Sequence, residues 1–202
     1  MADISRRTIL GVALTAAACS TPPPQATRLI TVVATPGSVA GKLTCQGQVY
    51  DCMLGRSGIV SAKREGDGGT PVGLFPLREI RYRPDRLTTP PTTGLLVIKT
   101  LPSDGWCDDP ADPNYNRLVT LPYDSSAETL WRADGLYDLL AVIGYNDAPP
   151  AAGAGSAIFL HVMRQSAGVG QPTSGCISLA RADLLAVLAM CTAQSAIRIT
   201  KL

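Results

Sequence analysis

Glycine and proline constrain this chain most: 19 Gly and 16 Pro are spread through 202 residues, and from Arg28 onward they cut it into short β-favouring runs. Leu29-Ile-Thr-Val-Val, Lys42-Leu-Thr-Cys, Gln48-Val-Tyr, Leu95-Leu-Val-Ile-Lys, Leu139-Leu-Ala-Val-Ile-Gly-Tyr and Ala157-Ile-Phe-Leu-His-Val have strand length and β-branched content. Regularly spaced short strands predict a mainly β domain, a β-sandwich or partly closed barrel. Arg83 to Thr93 and Leu101 to Asn116 are polar and Pro-rich and are expected to be loops. Loops of that length in a compact domain are more often functional than idle. Near the end the period changes: Leu184, Leu185, Val187, Leu188 and Cys191 fall at helical spacing and predict an amphipathic helix from Ala180 to Ala193. Ile197 and Ile199, alternating with Arg198 and Thr200, then predict a closing strand. The length suits one domain, expected over residues 29–202, with a core that needs neither disulfide nor metal to form.

The N-terminus is read separately. Arg6-Arg7 precede an uncharged, mostly apolar run from Thr8 to Ala18, too short to span a membrane and of signal-peptide length. Ser5-Arg6-Arg7 with Ile9-Leu10 resembles a twin-arginine export signal. Ala16-Ala17-Ala18 before Cys19 resembles a bacterial lipoprotein box, with Ala16 where such boxes usually carry Leu. Residues 1–18 are therefore expected to be an export signal, Cys19 the lipidated first residue and 19–28 an extended tether; plain cleavage and secretion is the alternative. Loss of Arg6, Arg7 and Asp3 from 18 basic and 16 acidic residues leaves 16 and 15. So balanced a chain lacks the clustered positive charge of a nucleic-acid binder, and membrane contact is expected only through the lipid. A single His removes most imidazole-based zinc sites.

That one His, His161, ends the apolar run from Ala157, and fifteen residues later comes Thr173-Ser174-Gly175-Cys176. A free thiol is only a few per cent ionised at neutral pH, so a Cys nucleophile needs a base or a cation beside it, and an imidazole can take its proton. Gly175 permits a tight turn, and the Gly175 and Cys176 N–H groups are candidate donors to a developing oxyanion. A strand ending in His and a turn presenting Cys can converge at one sheet edge. The plainer reading is a satisfied structural His and a Cys acting as a small core hydrophobe.

The pattern resembles the L,D-transpeptidase catalytic domain, the YkuD-type fold, whose motif is His, a spacer, then Ser/Thr-His-Gly-Cys-x-Asn/Arg. Thr70-Pro71-Val72-Gly73-Leu74-Phe75 resembles the family's Thr-Pro-x-Gly-x-Phe segment, and Lys63-Arg64-Glu65-Gly66-Asp67 resembles one subgroup of it. Trp106-Cys107-Asp108-Asp109-Pro110, Tyr115-Asn116, Gly144-Tyr145-Asn146 and Gly155 to His161 follow in the same order, so the likeness covers most of residues 29–202. It implies a cysteine peptidyl transferase of peptidoglycan stem peptides, with Cys176 the nucleophile, His161 the base, Gly175 and Ser174 in support and no cofactor or metal. Tyr145, Asn146 and Arg64 are the candidate substrate-cleft residues, and a monomer is expected. Hydrolysis of the same acyl-enzyme, as in a carboxypeptidase or endopeptidase, and a non-catalytic wall-binding lipoprotein are the alternatives. The chain departs from the motif at Ser174, where the family has a second His, at Ser178, where it has Asn or Arg, and in a shorter spacer. A hydroxyl at position 174 brings hydrogen bonding but no positive charge.

The remaining charges and thiols stay open. Lys63, Arg64, Glu65 and Asp67 form either a solvated turn or an ion-paired loop that meets a substrate carboxylate. Asp108, Asp109, Tyr115 and Asn116 are candidates to rim a cleft. Cys45, Cys52, Cys107 and Cys191 allow two disulfides in three pairings outside the cytoplasm. A turn at Gly47-Gln48 sets Cys45 opposite Tyr50 and leaves Cys52 diagonal, so that bridge needs a wider loop. Cys191 is a candidate core residue, and Cys107 is a rival nucleophile with no His nearby in sequence.

Overall fold

The computed structural model describes residues 28–202, so the expected export signal, Cys19 and the tether up to Thr27 lie outside the described residues. The first half of the chain forms β1 (Leu29–Ala34), β2 (Ala40–Cys45), β3 (Gln48–Met53), β4 (Ile59–Val60), β5 (Thr70–Pro71), β6 (Gly73–Tyr82) and β7 (Leu96–Lys99). Then come β8 (Asp104–Cys107), β9 (Leu118–Thr120), β10 (Ala127–Thr129), β11 (Leu139–Ile143), β12 (Phe159–Val162), β13 (Gln165–Ser166) and β14 (Val169–Gly170). β15 (Ile177–Leu179), α1 (Arg181–Ala189) and β16 (Ala196–Lys201) complete the order. The fold is mainly β.

Eight strands follow one another as β11, β12, β15, β3, β2, β1, β16 and β6, and pairing of β6 with β11 closes the ring into a barrel. The closure depends on β6, whose first residues pair with β16 (Ile199↔Gly73, Ala196↔Pro76) and whose last pair with β11 (Leu140↔Arg81) and β7 (Ile80↔Val97). Closing the sheet satisfies the backbone groups that an open edge would leave bare.

Period-two alternation sends Leu139, Ala141 and Ile143 of β11, Leu160 of β12 and Ile177 and Leu179 of β15 into the main core. α1 packs Leu184, Val187 and Leu188 into the same cluster, each fully buried aliphatic side chain contributing roughly 1.5–3 kcal/mol. The helix stops at Ala189, short of the expected Ala193. There Thr192 N–H donates to Ser195 Oγ at 2.8 Å and Ser195 N–H to the Thr192 carbonyl at 2.9 Å, a polar turn that redirects the chain into β16.

Opposite-facing residues of the wall, Leu140, Val142 and Phe159, build a second cluster with Trp106, Leu130 and Tyr137. It lies beneath a separate sheet of β10, β8 and β9. The stretch 101–116, expected to be loop throughout, thus contains β8. Arg81 of β6 ties this sheet to the barrel through Asp104, Nη1 to Oδ2 at 3.0 Å. Phe159 is wedged edge-on between Trp106 and Tyr137, with centroids 5.3 and 5.7 Å away.

The β2–β3 turn is Gln46-Gly47, both at positive φ (50° and 79°), one residue earlier than expected. It pairs Cys45 with Gln48 and Cys52 with Gly41, so the two thiols sit at opposite ends of the hairpin and cannot bridge. All five described cysteines are free and buried.

Candidate active site

β12 and β15 run parallel as neighbours in the barrel wall, with His161 level with Ser178, so the expected meeting place is a closed sheet rather than an edge. One residue before β15, Cys176 comes level with Phe159. It projects with Phe159 and His161 away from the barrel interior, toward the small sheet. Both Cys176 and His161 line a cavity of about 730 Å³.

The Cys176 thiol donates to the Ala157 carbonyl at 3.2 Å and accepts from Phe159 N–H at 3.3 Å. Ala157 holds φ 52°, a left-handed conformation that aims its carbonyl at the sulfur. Asn116 fixes it there: its Oδ1 accepts from Ala157 N–H at 3.0 Å and from Trp106 Nε1 at 2.9 Å, while Nδ2 donates to the carbonyls of Tyr145 and Asn146. Glu65 completes the collar, accepting from the Tyr115 and Ser156 hydroxyls at 2.5 and 2.7 Å, and Gly155 N–H donates to Tyr115.

Burial pushes the Cys176 thiol up to about 12, and the Glu128 carboxylate raises it too. Phe159 N–H, the Lys63 charge and the Tyr137 hydroxyl pull the other way. Burial likewise lowers His161 to about 4, partly countered by its bond to the Val162 carbonyl. The resting pair is a neutral thiol and a neutral imidazole, each bonded to backbone rather than to the other. His161 Nδ1 lies 2.8 Å from the Val162 carbonyl, which assigns the proton to Nδ1 and leaves Nε2 as the basic nitrogen. Tyr137 stacks edge-on against the imidazole at 5.2 Å and donates its hydroxyl to Glu128 Oε1 at 2.8 Å.

The remaining candidates divide. Ser174 lines the cavity and accepts from Arg56 Nη1 at 3.3 Å. Gly175 holds φ 141°, and its N–H turns onto Thr173 Oγ1 at 3.1 Å instead of into the cavity, the bond typical of a hydroxyl-capped turn. Tyr145 and Asn146 do not line this cavity. Tyr145 packs edge-on against Phe75 at 5.3 Å and donates to the Ala154 carbonyl, and Asn146 donates to the carbonyls of Ala151 and Gly155. Both brace the 144–157 loop, because the short strand β11 ends in a turn whose carbonyls need donors. Arg64 is exposed and outside the cavity; the residue before it, Lys63, lines the cavity in its place. Asp108 also lines it, whereas Asp109 accepts from Ala111 N–H in its own loop. Cys107 is buried in β8 and does not line the cavity. Sequence reasoning does not single out Glu128, Tyr137 and Arg132. Only the position of Tyr137, just ahead of the β11 run, hints at it.

Among the described residues no group of three metal-ligating side chains forms. A thiol and a basic imidazole nitrogen on one face of adjacent strands, open to a polar cavity, are equipped for thiol acyl transfer. The L,D-transpeptidase catalytic domain (YkuD) family model matches residues 31–199, and the chain belongs to that family. No curated protein and no solved structure matches it.

Proposed function

We propose that the protein is a cysteine-dependent L,D-transpeptidase of peptidoglycan stem peptides that works through an acyl-enzyme on Cys176. The observation that carries this reading is the shared outward face of Cys176 and His161 in a single cavity, within a chain of this family. In the first half-reaction the sulfur adds to the carbonyl carbon at the L-centre of the stem's diamino acid as its proton passes to His161 Nε2. The C–N bond to the terminal D-residue breaks, and that proton leaves on the departing amine. In the second, an amine of another stem adds to the thioester and gives its proton to His161. The C–S bond then breaks and the proton returns to sulfur. Because the resting thiol is neutral, proton transfer and attack are coupled rather than preceded by a standing thiolate.

Incubation of the purified domain with a disaccharide-tetrapeptide, followed by mass spectrometry, tests this. Cross-linked dimers are the expected product. Tripeptide alone would reassign the protein as a carboxypeptidase using the same thiol, and unchanged substrate would leave a wall-binding module. We further propose export and lipid anchoring of the 29–202 domain at Cys19, on the strength of Arg6-Arg7, the apolar run and Ala16-Ala17-Ala18-Cys19. A diacylglyceryl mass on the N-terminal Cys19 of the mature protein is the expected result, and an unmodified N-terminus refutes it.

A further inference from the structure

The Lys63-Arg64-Glu65-Gly66-Asp67 segment contributes to the site through its first residue. The Lys63 side chain is 5% exposed, and its ammonium donates to Asp67 Oδ1 and to the Arg64 carbonyl, each at 2.7 Å. Asp67 is itself pinned by Arg64 N–H at 2.7 Å and Gly69 N–H at 2.8 Å, so the cation is held on a rigid frame. An ammonium has three donors, and two are spent within the loop.

The frame is pressed onto the turn that presents Cys176. A Cβ placed on Gly175 would lie 3.0 Å from the Gly69 carbonyl and 3.7 Å from Lys63 Cε, and a Cβ on Gly55 would lie 2.2 Å from the Gly68 carbonyl and 3.0 Å from Gly175 Cα. Gly55 and Gly175 thus remove the bulk that would keep loop and turn apart, and Lys63 lines the same cavity as the thiol. The position where the family motif carries a second His holds Ser174, which brings no charge.

We propose that Lys63, locked by Asp67, supplies the fixed positive charge of the nucleophile turn and stabilises the negative charge that develops at Cys176 during attack. Its role is electrostatic: it makes no covalent bond, and its third N–H is not spent within the loop. The other groups around the thiol oppose or only accompany it. A Glu128 carboxylate opposes charge on the sulfur, Tyr137 is a neutral hydroxyl, His161 is neutral, and Arg132 is engaged by Asp134 and Glu128 at 2.6 and 3.4 Å. Arg164, also on the cavity, pairs with Asp134 at 3.0 Å, and Arg56 is exposed and donates to Ser174 Oγ and the Gly66 carbonyl, so Lys63 is the buried cation on the cavity that keeps a donor outside its own loop.

The inference rests on Cys176 being the reactive thiol proposed above, and its deciding measurement needs no peptidoglycan. The rate of iodoacetamide alkylation at Cys176, followed by peptide mass in the full chain, is measured against pH for the wild type, Lys63→Gln, Lys63→Arg and Lys63→Met with Asp67→Asn. Lys63→Gln keeps a hydrogen-bond donor in the loop and removes the charge. A neighbouring opposite charge lowers a thiol pKa by about one unit or more, so Lys63→Gln is expected to move the profile up by about one unit and slow alkylation near pH 8 about tenfold. Lys63→Arg should restore most of the rate. Thermal unfolding separates loss of fold from loss of charge, and kcat on wall fragments should fall more than KM rises. A folded Lys63→Gln protein with the wild-type alkylation profile overturns the assignment and makes Lys63 a loop staple, and so does a slowing that Lys63→Arg fails to reverse. If the profile shifts as stated but no wall fragment is turned over, the reaction reading fails and the charge assignment stands.

Discussion

Replacing Asn116 by alanine removes the side chain that ties β8 to the 144–157 loop beneath the sulfur. Asn116 is 5% exposed and makes four hydrogen bonds, accepting from Trp106 Nε1 and Ala157 N–H and donating to the Tyr145 and Asn146 carbonyls. Alanine strands two donors and two acceptors in a buried site. Each stranded group costs roughly 1–3 kcal/mol, with the N–H groups dominating because a carbonyl can find a second partner more easily. Asn116 also sits at φ 57°, where alanine costs about 1 kcal/mol more than asparagine. A loss of about 3–6 kcal/mol follows, which lowers the melting temperature by at least about 6 °C in a domain of this size. The site should feel it as well, because Ala157 loses the bond that holds its left-handed conformation and its carbonyl can swing away from the thiol. Calorimetry and the alkylation rate of Cys176 measure the two effects together. Asn116→Gly removes the same bonds but relieves the backbone, so it should recover about 1 kcal/mol of the loss. A loss below about 1 kcal/mol with unchanged alkylation would refute the anchoring role.

Cys176→Ala should abolish both labelling by a thiol-reactive peptide and turnover of stem peptides, while Cys107→Ala, in the buried strand β8, should keep activity; the reverse outcome moves the nucleophile to Cys107. His161→Ala should reduce turnover at neutral pH by about 10²–10⁴-fold and recover partly at alkaline pH, where less help is needed to ionise sulfur; a flat profile excludes it as base. Folding stability should fall with acid between pH 6.5 and about 4, because the unfolded chain binds the His161 proton before the folded one does, by about 3 kcal/mol in full. Glu128, raised by burial, opposes this, so the His161→Gln comparison in urea melts isolates the imidazole. Above pH 9 the sign reverses: Cys52, Cys176 and Cys191 ionise in the unfolded chain first and at about 12 in the folded one, so stability falls as pH rises. Gly55→Ala should destabilise the protein and cut alkylation of Cys176, since its Cβ would meet the Gly68 carbonyl at 2.2 Å and force the Lys63–Asp67 loop off the turn that presents Cys176; wild-type reactivity would argue that the close contact is dispensable.

Strands whose hydrophobic run is continuous or alternating are legible in the residues themselves. β1, β2, β11 and β12 are marked by β-branched or aliphatic residues, because burial of one or both faces demands them. β6 and β8 are not. β6 contains Gly73 and Pro76 and interleaves Arg78 and Arg81, yet it is the longest strand, since three neighbours share it and Arg81 is satisfied by Asp104 and Glu79. β8 is Asp-Gly-Trp-Cys, whose Asp and Gly disfavour a strand, and all four residues are buried by pairing with β9 and β10. Both are products of tertiary pairing, which a local pattern does not record. Barrel closure by the β6–β11 pairing is hidden from the sequence for the same reason.

In the site, the two residues with unique chemistry are legible and their surroundings are not. His161 and Cys176 stand out because the chain has one His and one Gly-Cys turn near it, and parallel pairing of β12 with β15 sets them on one face. Proximity to motifs nominates Arg64, Tyr145 and Asn146, but side-chain direction keeps them out of the cavity: in a tight turn, neighbours in sequence point to different sides, and Lys63 rather than Arg64 lines the cavity beside the Gly175 turn. Ser174 is a loss when the motif is taken as a line of letters, since it replaces an imidazole by a hydroxyl. In three dimensions a site needs charge at a point in space, not at a position in the chain. A lysine more than a hundred residues earlier, pinned by Asp67 and admitted by Gly55 and Gly175, puts a cation against the same turn. The glycines and the Lys–Asp pair therefore act as one device, and separating them by mutation should uncouple thiol reactivity from fold, the two properties that the motif alone does not distinguish.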